Sequence, residues 1–251
     1  MKVVVLGASG EIGRSLSGRL RDRGVDVLAA QRSSGVDAYA GTGLVESFAG
    51  ADAVVDCTNI VTTKAKAAID FYATVAANVA AAAIEAGVGH VICLSIINAA
   101  DPAVNAKFGY YQGKAAQEAT YRAALGVDRL TVVRSAQWYE LARQMMSTLR
   151  LGPLAAVPHM RCRPLSSADA AAAVADVVMA SDGPDVEVAG PEVLDLTDIG
   201  KAIARRAGAP RWVVGVKIGG KAIRDGGLVP DAPTVVASTT LDQWLDKEYA
   251  A

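Results

Sequence analysis

Cysteine is scarce in this chain and follows no pattern: Cys57, Cys93 and Cys162 are the only three, and none forms a CxxC pair. An odd, scattered set excludes a disulfide framework and points to a reducing compartment. Histidine is scarcer still, at two residues, and no cluster of His, Cys and Asp at ligand spacing accompanies it. No metal is expected. Aromatics make up 5% of the residues, too few for an aromatic-rich binding surface. A net charge of −1 provides no global field to attract nucleic acid or an anionic membrane, so neither is expected as a partner. The uncharged stretches 71–84 and 86–100 are too short to span a bilayer and read as a core helix and a strand with its loop. Met1 and Lys2 lead straight into a strand, so no signal peptide is read and a cytoplasmic location is expected.

What the chain has in quantity is apolar residues, 52% against 20% charged, with alanine prominent. That composition excludes a disordered or fibrous protein, and 251 residues are enough for an α/β core with an appended lobe. Residues 3–14, VVVLGASGEIGR, organise the rest. An apolar run enters a turn with Gly7, Gly10 and Gly13, and helix-forming sequence follows. Gly7 permits a tight exit from the strand, Gly10 lets a diphosphate approach the backbone, and Gly13 lets the helix pack close. The free amides and positive end of that helix form an anion site. The expectation is a dinucleotide-binding turn.

Downstream, strands are read at 25–30, 53–57, 90–95 and 130–134, with a short one at 36–40. Helices are read at 11–23, 44–49, 70–86 and 111–125. This alternation predicts an α/β fold, a Rossmann-like doubly wound parallel sheet over residues 1–136. The strand near 186–189 joins that sheet, and residues 137–251 otherwise form a small C-terminal substrate lobe. The lobe holds helices near 140–150, 168–180 and 197–206, and segments at 212–216 and 241–247 complete it. Ligands in such folds bind outside the C-terminal strand ends.

Two constellations could carry chemistry there. The second strand ends in Ala30-Gln31-Arg32-Ser33-Ser34, with no carboxylate to bind a ribose 2′-hydroxyl. Arg32 instead offers a planar charged fork for a 2′-phosphate, Ser33 stands beside it, and Arg14 is within reach of the same group. NADP is therefore expected ahead of NAD. The second constellation is Ser95, Tyr110 and Lys114. Tyr110 and Lys114 stand four apart on one helix face, where an ammonium beside a phenol would favour the phenolate and lower its pKa from about 10. Such a tyrosine exchanges protons with a carbonyl or alcohol, and Ser95 at its strand end would orient the substrate oxygen. Gln137, Trp138 and His159 are candidate substrate contacts; core packing suits Trp138 equally well, and an exposed loop position suits His159 better.

The segments GASGEIGR, VVDCTN (54–59), HVICLSIIN (90–98), YYQGKAAQE (110–118) and VVRSAQWYE (132–140) together resemble the short-chain dehydrogenase/reductase superfamily, in its atypical, NmrA-like NAD(P)H-binding branch. RPLSSADAAAAVAD (163–176) and VAGPEVL (188–194) match later landmarks more loosely. The resemblance implies cofactor contacts from Gly7, Ser9, Gly10, Glu11, Ile12 and Gly13, from Arg32, and from Thr58, Ser95 and Lys114; Arg14, Ser33 and Asn59 are further candidate cofactor contacts. It also implies an NADP-dependent oxidoreductase acting on a small carbonyl, quinone or enone through a Ser-Tyr-Lys set. Two alternatives share the fold: a non-catalytic, redox-sensing NADP(H) binder, and a nucleotide-sugar epimerase or dehydratase. Three departures stand out. Ser135-Ala136 replaces the family's strand-end proline, Asn78 lies too deep in its helix to act as a proton-relay asparagine, and Tyr111 adjoins Tyr110. A homodimer fits the sequence as well as a monomer does.

Overall fold

The structure is a computed structural model, and it describes residues 1–181 and 183–250. The chain runs β1 (Lys2–Leu6), α1 (Glu11–Asp22), β2 (Asp26–Ala30), a single 3-10 turn at Arg32–Ser34, α2 (Leu44–Phe48), β3 (Ala53–Asp56) and α3 (Ala65–Glu85). It continues through β4 (His90–Ile96), α4 (Pro102–Asn105), α5 (Gly109–Leu125), β5 (Leu130–Ser135) and α6 (Tyr139–Thr148). Then follow β6 (Arg150–Leu151), β7 (Leu154–Pro158), β8 (Arg161–Cys162), α7 (Ser167–Ala180), β9 (Val186–Ala189), β10 (Leu194–Asp195) and α8 (Leu196–Ala207). The last elements are β11 (Trp212–Val216), α9 (Lys221–Arg224), β12 (Val235–Val236) and α10 (Leu241–Glu248).

Seven strands form one sheet in the order β12-β9-β5-β4-β3-β1-β2, all parallel. The order reverses at β1, which lies between β2 and β3, and this switch point is where the sheet leaves room for a ligand. Side-chain alternation divides the core in two. Val3, Val5, Val55, Ile92 and Leu94 face the layer shared with α1 and α7, whereas Val4, Leu6, Val54, Val91 and Cys93 face α2, α3 and α5. A third apolar cluster joins α6, α8, β7 and α10 into the lobe, next to the small sheet β11-β7-β6.

Two differences from the sequence reading concern the sheet edges. Residues 36–40 form no strand; the segment turns back on itself through a lone antiparallel bridge, Asp37 to Thr42. Gly35, Gly41 and Gly43 around it all have positive φ, a backbone no strand sustains. Asn78 pins that turn by donating to the carbonyls of Ala38 and Tyr39. At the other edge, β12 pairs in register with β9, an addition the sequence did not announce. Helix α3 starts at Ala65, earlier than expected, and by length and composition alone it is apolar enough to cross a membrane. Here it packs on the sheet and on α5. Gly109 and Gly113 make that approach possible: a Cβ at Gly113 would stand 2.7 Å from Tyr72 Cδ2.

Candidate active site at the carboxyl edge of the sheet

The glycine turn has the geometry its spacing requires. Gly7 has φ +70°, and an added Cβ would lie 2.7 Å from the Cys57 carbonyl oxygen at the end of β3. A Cβ at Gly13 would lie 2.3 Å from the Gly7 oxygen, so α1 packs directly on the turn. Gly10 is different: it caps α1 with φ −70°, and the nearest atom to an added Cβ is the Gly7 oxygen at 3.2 Å. The turn is exposed at Ser9 and Gly10, and no side chain caps α1. Two glycines thus serve the protein's own packing, and the third leaves a cradle that a Cβ would begin to fill. That cradle fits a diphosphate.

The surrounding residues divide sharply. Arg32 and Ser33 are exposed at the end of β2, and the Arg32 guanidinium makes no ion pair or hydrogen bond among the described residues. Arg14 folds back and donates to the Ser9 carbonyl at 2.9 Å. Glu11 turns toward the start of α7, where its carboxylate accepts from the Ser167 hydroxyl at 2.9 Å. The same hydroxyl also lies 2.8 Å from Glu140, a buried carboxyl that burial pushes up from its usual value. Thr58 bonds Asp56 through both its amide (2.9 Å) and its hydroxyl (2.6 Å), and exposed Asn59 accepts from the Tyr72 hydroxyl at 2.5 Å.

Tyr110 and Lys114 lie in the first two turns of α5, and the structure separates the two adjacent phenols. Tyr110 is half-buried, whereas Tyr111 is 2% exposed and its oxygen accepts from Gln137 Nε2 at 2.9 Å. Burial pushes Tyr111 well above the usual tyrosine range. The phenol available to a ligand is therefore Tyr110. Like Tyr110, Ile96 and Phe108 are partly buried against the lobe's apolar cluster. Lys114 is enclosed: its Nζ donates to the Leu94 carbonyl and to Gln117 Oε1, both at 2.9 Å, and stands 4.4 Å from the Tyr72 ring centroid.

The Ser95 hydroxyl, expected at a substrate oxygen, is buried and engaged within the protein. It shares the strand face of Val91 and Cys93 and donates a short hydrogen bond to Glu118, itself held by Arg134 at 2.6 Å. Arg134 and Arg122 both pair with Asp185, at 3.1 and 2.5 Å, so Ser95 begins a buried network that ties β4 and α5 to β5 and the start of β9. Trp138 is turned away as well: its indole donates to Ser135 Oγ at 2.9 Å and packs on the layer beneath α1 and α7. His159 sits in the lobe, its Nδ1 3.2 Å from Asp195 Oδ1 and its ring over Gly215, contacts that fasten β7 to α8 and β11 rather than to the phenol. Gln137 stays near Tyr111, and its Oε1 is buried with no hydrogen-bond partner.

Sequence reasoning missed Asp56. This fully buried carboxylate at the end of β3 accepts from Thr58, from Gln117 Nε2 at 2.8 Å and from the Tyr121 hydroxyl at 2.7 Å. Through Gln117 it is linked to Lys114. A charge inside the apolar run AVVDC was the available signal, since such residues are buried only with partners. Two concavities of about 480 and 450 Å³ lie around His90 at the amino ends of the strands, away from the glycine turn and the phenol. Among the described residues, no group of His, Cys, Asp and Glu is placed to hold a metal ion.

No protein-family model matches the chain, and no curated protein sequence matches it. Solved structures do resemble it in fold. A dTDP-4-dehydrorhamnose reductase from Clostridium acetobutylicum superposes with a TM-score of 0.72 at 17% identity, covering 100% of this chain and 93% of its own. The NADPH-dependent quinone oxidoreductase QOR2 from Escherichia coli, complexed with NADPH, gives 0.67 at 18% identity over 98% and 99% of the two chains. A short-chain dehydrogenase/reductase superfamily protein from Agrobacterium tumefaciens with bound NAD gives 0.66 at 14% identity over 100% and 96%. The chain thus shares the fold of these three proteins, two of which hold a bound nicotinamide cofactor.

Proposed function

We propose that the protein is an NADP(H)-dependent oxidoreductase acting on a small, largely apolar carbonyl, quinone or enone. The observation that carries this reading is the open Gly10 cradle at the carboxyl edge of a sheet that also presents one half-exposed phenol, Tyr110. The glycine turn and the first amides of α1 would hold the diphosphate, and the free Arg32 fork would hold a 2′-phosphate. Bound there, the nicotinamide supplies hydride chemistry. Tyr110 gives its proton to the substrate oxygen in reduction and takes it back in oxidation. Lys114 holds a fixed positive charge on the same helix face, anchored by the Leu94 carbonyl and Gln117. Ile96 and Phe108 favour an apolar substrate over a nucleotide sugar.

One observation favours a second reading, an NADP(H)-binding sensor without turnover. Ser95 is committed to Glu118, and the Lys114 ammonium is already enclosed by protein groups. Titration with NADPH and NADH followed by a carbonyl and quinone panel, read by NADPH absorbance, separates the two. The enzyme reading expects turnover that falls about a hundredfold in Tyr110→Phe, within the usual range for loss of a general acid. Turnover undiminished in that variant refutes the Tyr110 assignment, and binding without any turnover selects the sensor.

A further inference from the structure

Tyr72 belongs to no motif, yet it touches Tyr110, Lys114 and the Asn59 loop together. Its side chain, on α3, is fully buried. Its ring lies on Gly113, covers the Lys114 ammonium at 4.4 Å and meets the Tyr110 ring edge-on at a centroid distance of 5.9 Å. Its hydroxyl donates to Asn59 Oδ1 at 2.5 Å, and the Ile60 amide donates to it at 3.4 Å, a long contact. A phenol oxygen has one proton and two lone pairs, so a lone pair remains for Tyr110. Burial pushes Tyr72 far above the usual tyrosine range, with Tyr110 a further cause, so Tyr72 stays a neutral donor at any working pH. Asn59, at the far end of the chain of hydroxyls, is exposed to water.

We propose that Tyr72 is a positioning residue for Tyr110: its hydroxyl, polarised by the Lys114 ammonium against its ring, bonds the Tyr110 oxygen and links it to solvent at Asn59. The inference rests on Tyr110 as the proton donor. In reduction the substrate carbon gains a hydride and its oxygen gains the Tyr110 proton, breaking that O–H bond. The Tyr72 O–H turns from Asn59 to the Tyr110 oxyanion and passes its proton on. In the same step Tyr72 takes a proton from solvent that reaches exposed Asn59, so that it never carries a charge. Both phenols end as they began, and one solvent proton is consumed per substrate reduced. The role of Lys114 is thereby transmitted through the face of a second aromatic ring, where a cation is attracted and the hydroxyl made a stronger donor.

Tyr72→Phe keeps the ring over Gly113 and Lys114 and removes only the hydroxyl. The first readout needs neither cofactor nor substrate: the rate at which tetranitromethane nitrates Tyr110, followed by peptide mass spectrometry, with buried Tyr111 as the internal control. Nitration proceeds through the phenolate, so it should slow about tenfold in Tyr72→Phe, the worth of one hydrogen bond to a charged oxygen. A smaller slowing is expected in Asn59→Ala, whose exposed side chain can be lost without disturbing the core. The second readout is turnover of NADPH: kcat falls about tenfold with KM unchanged, and the pH at which the rate is halved moves. A thermal melt of each variant controls for folding. Equal nitration of Tyr110 in wild type and Tyr72→Phe overturns the proposal, whatever the kinetics. Slowed nitration in a protein that turns nothing over upholds the link between the phenols and refutes the enzyme reading instead.

Discussion

Replacing Gly10 with alanine separates a nucleotide cradle from an ordinary tight turn. At Gly10 the backbone has φ −70°, comfortable for alanine, and the nearest neighbour of the new methyl is the Gly7 oxygen at 3.2 Å. A shift of a few tenths of an ångström relieves that contact. Alanine is a poorer helix cap than glycine but restricts the unfolded chain, effects that oppose each other at about 0.5–1 kcal/mol each. The melting temperature should therefore stay within about 3 °C of wild type. The methyl nonetheless stands where a diphosphate would approach the α1 amides. Losing one charge-assisted hydrogen bond there, about 1.5–3 kcal/mol, weakens NADPH binding at least tenfold. Gly13→Ala is the contrast: its methyl would lie 2.3 Å from the Gly7 oxygen and 2.8 Å from Ala8 Cα, backbone atoms that cannot yield separately. That variant should lose about 3 kcal/mol, or roughly 6–12 °C. The assays are a thermal melt and a calorimetric NADPH titration of both proteins. A Gly10→Ala variant that melts normally and binds NADPH as tightly as wild type would refute the cradle.

Three further outcomes follow from the geometry. Arg32→Ala should raise the Kd for NADP about tenfold and leave that for NAD unchanged; equal loss for both removes Arg32 from 2′-phosphate recognition. Asp56→Ala strands buried donors on Gln117, Tyr121 and Thr58 and should destabilise the protein by about 3–5 kcal/mol, seen in a urea melt. Asp185 gives a pH signature. Burial alone would raise its carboxyl, but the Val132 amide, Arg122 and Arg134 outweigh burial and hold it below the usual aspartate value. A depressed value stabilises the fold above the unfolded-state value and loses that contribution as pH falls through the folded one. Melting temperatures of Asp185→Asn measured from about pH 5 downward should thus fall less steeply than those of wild type, and parallel curves would contradict the pairing.

Much of the core was legible because buried parallel strands and alanine-rich helices carry local signals: a run of β-branched residues, a glycine after the last turn. The span 186–189 was read correctly as a strand of the main sheet. Tyr110 was distinguishable from Tyr111 by its spacing to Lys114, and the fold leaves Tyr110 the more accessible of the two. What the sequence carries poorly is side-chain partnership. Ser95 follows Val91 and Cys93 at a period of two, so strand parity already aimed it at α5; nothing local announced that Glu118 would meet it there. Asp56 with Tyr121, and Tyr72 with Asn59 and Lys114, are joined by helix packing across distant parts of the chain, which periodicity does not encode. The false strand at 36–40 had apolar content but ignored the flanking glycines.

The sheet takes its last two strands from late in the chain: β9 lies beside β5, and β12 lies outside β9. The chain therefore leaves the sheet after β5, returns, leaves again and returns once more before α10. Everything between these returns hangs as excursions pinned at both ends, like stitches drawn through the same cloth. A shortened protein ending before residue 230 would lose the outermost stitch and expose β9 as a raw edge. New recognition surfaces are accordingly easier to graft between the fixed points than to add by exchanging the lobe whole.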